Sequence, residues 1–285
     1  MTKLVLHRNT AQGLQAFVQG NNHALLIVGA SGSGRSSLAQ ALATRLLDIA
    51  DEKLDQHPYV RILRPEAGKT FGIEDVREIE HFLQLKVPGA AATNRIVIIE
   101  EAHELGTEAQ NALLKTLEEP PAGSRLILTS ISTLALLPTI TSRTQILHAL
   151  APPKNDLESY FLEEGFQQTE IERAYQISGG LPGLMKALLS QADHPLLPAI
   201  EKARELLQQT TFERLNQVDE LAKNRQLTDD VLFVLQHMAE LGLQAANGKA
   251  AKRWQTVLKA SYEAAEALSA SGQTKLVLTN FMLGF

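Results

Sequence analysis

The stretch GASGSGRSS at positions 29–37 carries most of a phosphate-binding loop. Gly29, Gly32, Gly34 and Ser36, with Ser37 beside them, fit the pattern G-x-x-x-x-G-K-[ST], but Arg35 stands where the pattern requires lysine. In such a loop the backbone N–H groups and a helix N-terminus hold an anion, a lysine reaches the outer phosphates, and a hydroxyl binds the metal. Arginine is not a conservative replacement there, because a planar fork is bulkier than an ammonium on a slim stem. A second set of groups lies in RIVIIEEAHEL at 95–105, where Glu100 and Glu101 close an apolar run. Carboxylates at the end of a parallel strand beside a phosphate loop hold Mg²⁺ and polarise an attacking water. Each segment also has a plainer reading: a flexible Gly/Ser turn for the first, a solvated strand end for the second.

The elements that must position these residues are legible around them. HALLIVGA (23–30) reads as a buried strand, and SSLAQALATRLLDIA (36–50) places Leu38, Leu42 and Leu46 at helical spacing. Strand, glycine loop and helix form the context a phosphate loop needs. GTEAQNALLKTLEEPP (106–121) predicts a helix starting near Thr107, with Ala109, Leu113, Leu114 and Leu117 inside and Pro120-Pro121 as its stop. RLILTSIS (125–132) is a further strand. LLPTITSRTQILHAL (136–150) predicts a short helix ending at Ser142 and Arg143, then a closing strand from Gln145 to Leu147. The paired prolines of LAPPKND (150–156) mark the first domain boundary.

Beyond that boundary the chain reads as helical. DLESYFLEEGF and TEIERAYQIS (156–178) are two short helices separated by Gly165, and GGLPGLMKALLSQ adds a face of Leu184, Leu188 and Leu189. A helix capped by Thr228, with Asp229 and Asp230 suited to its dipole, carries Val231, Val234, Leu235, Met238 and Leu241 inward. Trp254, Val257, Leu258, Ser261, Ala265 and Leu268 form another stripe, and Leu278, Phe281 and Met282 a last one. By spacing alone such stripes serve a domain's own core more often than an oligomer contact.

Taken in order, HALLIVG, GASGSGRSS, HPYVRILRPEAGKTFGIEDVREI, IVIIEEAHELGTEAQNALLKTLEEPPAGSRLILTS, LPTITSR, LAPP, GGLPGLMKALL and TKLVLTNFML resemble the clamp-loader ATPases of bacterial DNA replication. These belong to the AAA+ class, and the likeness is to their gamma/tau/delta-prime type. The most specific piece is the helix A-x-N-A-L-L-K-x-L-E-E-P-P directly after the acidic strand. The fold implied is α/β: an AAA+ P-loop domain with a parallel sheet (1–150), followed by a small helical lid (151–205) and an all-α C-terminal collar domain (206–285). In this family one subunit supplies loop and acids, and the next supplies an arginine from a serine-arginine-cysteine motif. Here that motif is TSRT, with Ser142 and Arg143 kept and Thr144 in place of the cysteine. The resemblance makes Arg143 a finger delivered in trans to a neighbour's γ-phosphate, worth ~10³–10⁵ in rate. The plainer reading has Arg143 bonding local carbonyls or a surface acid.

Set against the family pattern, three departures converge on a degenerate nucleotide site. Arg35 replaces lysine, Glu100 replaces the metal-side aspartate, and Gly183 stands where active relatives carry a nucleotide-sensing arginine. Glu101 remains as a vestigial catalytic acid, and Ser130 falls at the sensor position. The implied chain is a non-catalytic stator of the DNA polymerase III holoenzyme with no required cofactor, weak ATP or ADP binding with Mg²⁺ being left open. Its implied partners are gamma/tau and delta sibling subunits in a heteropentamer, the sliding clamp, and primer–template DNA met through the assembled complex. Lys69, Arg77 and Lys86 are scattered candidates for the DNA backbone. Two alternatives stand beside this reading: a working gamma-type ATPase, and a free-standing AAA+ protein of DNA recombination or repair. Relatives commonly carry a cysteine-ligated zinc module between the first helix and the middle strands. With no cysteine and only His57 near 51–60, a four-ligand site cannot form, so the module is expected to be absent or shrunken and no metal is expected.

Composition bounds the rest. A chain of 285 residues with 44% hydrophobic content is long enough for two or three domains. A net charge of −5, from 27 Lys+Arg against 32 Asp+Glu, argues against a basic surface that coats nucleic acid and favours protein partners. The absence of cysteine removes disulfides and thiolate chemistry. The opening MTKLVLHRNT has no apolar signal core, and no run approaches the ~18 apolar residues of a membrane helix, so no membrane partner and a cytoplasmic location are expected, to which the clamp-loader resemblance adds association with the nucleoid.

Overall fold

The computed structural model describes residues 4–50, 53–65, 71–84, 95–270 and 272–285, with the backbone alone at 244 and 245. The chain forms two compact units, Met1–Tyr160 and Phe161–Phe285. Among the described residues no helix is long and apolar enough to cross a membrane.

The first unit is a parallel sheet covered on both faces. Its strands are β1 (Ala24–Val28), β2 (Val60–Leu63), β3 (Arg95–Ile99), β4 (Ser124–Ser130) and β5 (Gln145–His148), in the order β2-β3-β4-β1-β5. Every neighbouring pair is parallel. Burial on both faces explains why β1 and β3 read as unbroken apolar runs instead of alternating ones. Leu25, Ile27, Ile96, Ile98 and Ile127 point to one side and pack with Phe17 of α1 (Arg8–Gln19) and with Leu38, Ala39 and Leu42 of α2 (Arg35–Leu47). Leu26, Val28, Val97, Ile99, Leu126 and Leu128 point to the other, against Val76, Ile79 and Leu83 of α3 (Ile73–Gln84) and Ala109, Leu113 and Leu117 of α4 (Thr107–Glu118). Leu114, expected inside, is only partly buried at the margin of this layer.

Register decides which chain ends meet. Val28 pairs with Ser130 on one side and His148 on the other, and Ile99 pairs with Leu128. The residues following β1 and β3, and the end of β4, therefore come together at the carboxyl edge of the sheet, where open α/β sheets bind ligands.

A short helix α5 (Pro138–Thr141) is fastened to α4 by a buried glutamine. Gln110 accepts from the Leu137 amide at 2.9 Å and donates to the Leu105 carbonyl at 3.0 Å. Between α2 and β2 the chain makes a short connection in which the Tyr59 amide donates to His57 Nδ1 at 3.3 Å. No group of three or more metal-binding side chains gathers among the described residues.

The second unit is helical. After α6 (Lys154–Glu163), which crosses the boundary, come α7 (Gln168–Ser178), α8 (Pro182–Ser190), α9 (Leu197–Gln208), α10 (Thr211–Asn216), α11 (Val218–Lys223), α12 (Arg225–Ala245), α13 (Lys249–Ser269) and α14 (Thr274–Leu283). Gly165 adopts φ +95 between α6 and α7, a backbone that favours glycine. The cap expected at Thr228 is displaced. Asn224 caps α12 by accepting from the Leu227 amide at 3.1 Å. Thr228 is buried inside the helix and donates to the Leu221 carbonyl at 2.7 Å, joining α11 to α12. Asparagine caps at least as well as threonine, and the exposed leading residues Arg225 and Gln226 carry no apolar signal to announce it.

The inner faces also shift. Val231, Val234 and Leu235 are buried as expected, but Leu232 and Ala239 join them while Met238 and Leu241 stay partly exposed. On α13 the buried set is Val257, Ala260, Ser261, Ala264 and Leu268, a face of mainly small side chains, with Trp254, Leu258 and Ala265 at its margins. Of the α8 leucines Leu184 is buried, beside Met185 and Ala187, while Leu188 and Leu189 are half-buried. Leu278, Phe281 and Met282 of α14 are buried as their spacing requires.

Candidate functional site

The loop between β1 and α2 has the backbone of a phosphate loop. Gly32 and Gly34 sit at φ +80 and +84, in the left-handed region that glycine enters without a Cβ clash. Gly29 is required for a different reason: a Cβ there would stand 2.7 Å from Ser33 Oγ and 3.0 Å from Ala149 Cβ. Arg35 opens α2, with Ser36 half-buried and Ser37 exposed in the same first turn.

Arg35 decides the chemistry of the site. Its side chain is only 6% exposed. One terminal nitrogen donates to the Gly29 carbonyl, and the other lies 2.7 Å from both carboxylate oxygens of Glu101. The cation that replaces the loop lysine is thus bound to the acid that would polarise water. Glu101 in turn is held in place by its backbone. It adopts φ +52, a left-handed conformation costing a non-glycine residue on the order of 1 kcal/mol, and its amide donates to Thr129 Oγ1 at 2.9 Å.

The other acid is equally engaged. Glu100 is 8% exposed, and its Oε1 accepts from Gln40 Nε2 at 2.9 Å and lies 3.5 Å from Arg64 Nε. Arg64 also bonds Asp55 at 2.9 Å. Ser130 is fully buried and spends its hydroxyl on its own turn, donating to the Ser132 carbonyl at 2.8 Å. Of these groups Arg35, Glu101 and the Gly29 carbonyl bond one another, while Glu100 and Ser130 have other partners. As placed, these groups do not fit a nucleotide triphosphate with its metal: the cation meant for phosphate and the carboxylates meant for metal and water already have partners. Ser33 Oγ and Arg35 Nε are buried without hydrogen-bond partners among the described residues, the remaining polar capacity of the loop.

His103 belongs to this cluster and was not singled out by the sequence. It lies in a one-turn 3₁₀ helix (Ala102–Glu104), with Nδ1 3.6 Å from Glu101 and Nε2 3.7 Å from Glu104. Burial pushes its pKa below the ordinary 6.5 and the Arg35 cation acts the same way, while Glu101 and Glu104 pull it up without prevailing. Its position two residues after Glu101 was the available signal. Thr129 and Gln40 were missed too, since nothing in their type or spacing separates them from core and surface neighbours.

Arg143 stands apart from the loop cluster. It follows α5, whose Ile140 is fully buried, and its own amide donates to the Ile140 carbonyl at 3.0 Å. Its guanidinium reaches Glu118 Oε1 at 2.6 Å, the Thr139 carbonyl at 3.0 Å and Ser142 Oγ at 3.3 Å. The pair is superficial, with side chains 35% and 50% exposed. Exposed ion pairs are worth about 0–1 kcal/mol, so this one is easily exchanged. Thr144 donates to the Ile140 carbonyl at 3.2 Å. Gly183 lies in the first turn of α8. Of the DNA candidates, Arg77 is exposed and paired with Glu74 at 2.6 Å, while Lys69 and Lys86 fall outside the described residues.

A family model described as "DNA polymerase III, delta subunit" matches residues 7–153. The DNA polymerase III subunit delta' of Haemophilus influenzae is 32% identical over 193 residues, covering 62% of this chain and 58% of that one. The same subunit of Escherichia coli is 35% identical over 186 residues, 59% and 54% of the two chains. These matches therefore span little more than half the length of either relative. The delta' subunit of Yersinia pestis is 30% identical over 247 residues, covering 79% of this chain and 70% of that one. In fold, the chain is similar to a DNA polymerase III gamma subunit-related protein of Thermotoga maritima (TM-score 0.54, 19% identity, 96% and 97% covered).

Two outcomes are expected from this geometry. Arg35→Ala leaves Glu101 without its cation and lowers stability by about 2–4 kcal/mol in urea unfolding, whereas adding Glu101→Gln recovers part of the loss; additive effects would contradict the pairing. The His103 ring should titrate below 6.5 by NMR. Because its folded pKa is depressed, the stability it carries is intact above the unfolded value and declines as pH falls through 6.5 toward the folded value. His103→Gln should flatten that decline, leaving the share of His194, which burial also lowers.

Proposed function

This chain belongs to the DNA polymerase III delta' family, and from that premise we propose that it is a non-hydrolysing clamp-loader subunit that lends Arg143 to a neighbour's ATP site. The observation that carries the first half is the bond from Arg35 to Glu101. A triphosphate entering this loop has to displace a buried guanidinium from a carboxylate it meets with both oxygens, and while that bond stands Glu101 is not free to activate water. Nucleotide binding is accordingly weak and serves no turnover here. The same pair weighs against an active gamma-type ATPase, in which Glu101 needs an open oxygen.

The second half rests on contrast. Arg35 is buried and neutralised, whereas Arg143 is carried on the end of a helix anchored by Ile140 and Gln110 and remains partly open to solvent. An arginine delivered to a γ-phosphate stabilises charge that develops in the transition state. A subunit so built acts as a stator within the polymerase holoenzyme: it holds gamma/tau and delta siblings in a ring through its collar (206–285), completes one of their sites, and meets clamp and primer–template DNA only through the assembly. Residues 151–205 form the small lid domain in this scheme.

Reconstitution with sibling subunits, clamp and primed DNA tests it. The Arg143→Ala chain should still enter the complex on size exclusion, while DNA-stimulated ATP hydrolysis at the site it completes falls about 10²-fold or more. A complex of unchanged hydrolysis and clamp loading would contradict the trans role.

A further inference from the structure

We propose that Glu118 is a positioning residue for Arg143: it orients the guanidinium and keeps part of it free for an incoming phosphoryl group. This deepens the proposed function and rests on it. Glu118 is the last residue of α4, and its Oε1 lies 2.6 Å from one terminal nitrogen of Arg143. The other terminal nitrogen serves the Thr139 carbonyl at 3.0 Å and Ser142 Oγ at 3.3 Å. Both terminal nitrogens of the guanidinium are thereby engaged, and Nε has no partner among the described residues. A side chain held at three points on a rigid helix end, with donors to spare, is prepared for a planar, bidentate contact with a phosphate.

Stability alone accounts poorly for this carboxylate. A negative charge at a helix C-terminus opposes the macrodipole, at a cost comparable with what an exposed ion pair returns. Lys115 already supplies a favourable cation in the last turn of α4. Glu118 also sits on the helix that fixes the finger's own element, because Gln110 of α4 binds the Leu137 amide at the start of α5. One helix therefore sets both the place of Arg143 and the direction of its guanidinium. The weakness of the exposed pair suits this role, since the arginine can lean toward a phosphate without a large penalty.

The test uses the reconstituted loader with Glu118→Ala, Glu118→Gln and Glu118→Asp, and with Arg143→Ala alone and combined with Glu118→Ala. A misdirected finger loses transition-state contacts, so Glu118→Ala and Glu118→Gln should lower kcat of DNA-stimulated hydrolysis about tenfold with KM for ATP unchanged. Glu118→Asp should restore most of the rate, and Glu118→Ala should add nothing once Arg143 is alanine. Wild-type kcat in Glu118→Ala beside a crippled Arg143→Ala overturns the positioning role and leaves the trans arginine standing; so does full additivity. Wild-type kcat in Arg143→Ala removes the reading on which it rests. A readout independent of assembly is the NMR signal of the Arg143 terminal nitrogens in the free chain. Rotation slowed in wild type should become fast in Glu118→Gln, and an unchanged signal also overturns the proposal.

Discussion

The bond between the guanidinium of Arg35 and the carboxylate of Glu101 joins the first residue of α2 to the second residue after β3, 66 positions later in the chain. Its partners fix everything around it. Arg35 also holds the Gly29 carbonyl, so the loop is tied to the acid edge of the sheet by one side chain. Glu101 stands in a left-handed backbone conformation whose amide is caught by Thr129, so β4 shares in holding the carboxylate where Arg35 can reach it. A lysine ends in a point charge on a flexible stem; an arginine presents a rigid fork, here meeting both carboxylate oxygens. With arginine at position 35 the loop holds an internal ion pair, and its glycines keep the backbone of a phosphate loop.

The consequence is a division of labour between two arginines. In a low-dielectric setting an unpaired charge costs several kcal/mol, so a cation at position 35 needs a partner or a ligand permanently, and the chain supplies the partner. At position 143 water screens the charge and the pair with Glu118 is weak. The same residue type is buried and paired in one place and partly exposed in the other. Burial, not identity, separates the two.

Much of this was legible beforehand, for physical reasons. Strands buried on both faces must be apolar throughout, so HALLIV and IVII announce themselves; glycines at left-handed positions admit few replacements; and Pro120-Pro121 end a helix wherever they stand. Arg35, Glu100 and Glu101 were recognisable as departures from or survivals of a nucleotide site, but not the bond by which Arg35 meets Glu101. That partnership depends on strand register and on one unusual φ, neither of which is written in local spacing. The same limit explains Thr228, whose hydroxyl serves a carbonyl seven residues earlier, across the junction of two helices. It explains α13 as well, where small side chains and not the bulkiest residues are buried.

Hydrogen–deuterium exchange of the amides in residues 29–37, measured with and without saturating ATP and Mg²⁺, interrogates the closed loop most directly. A loop kept closed by the Arg35–Glu101 pair should exchange alike with and without nucleotide. A marked rise in protection of those amides on adding ATP would mean that Arg35 yields its place to phosphate, and the central claim would be wrong.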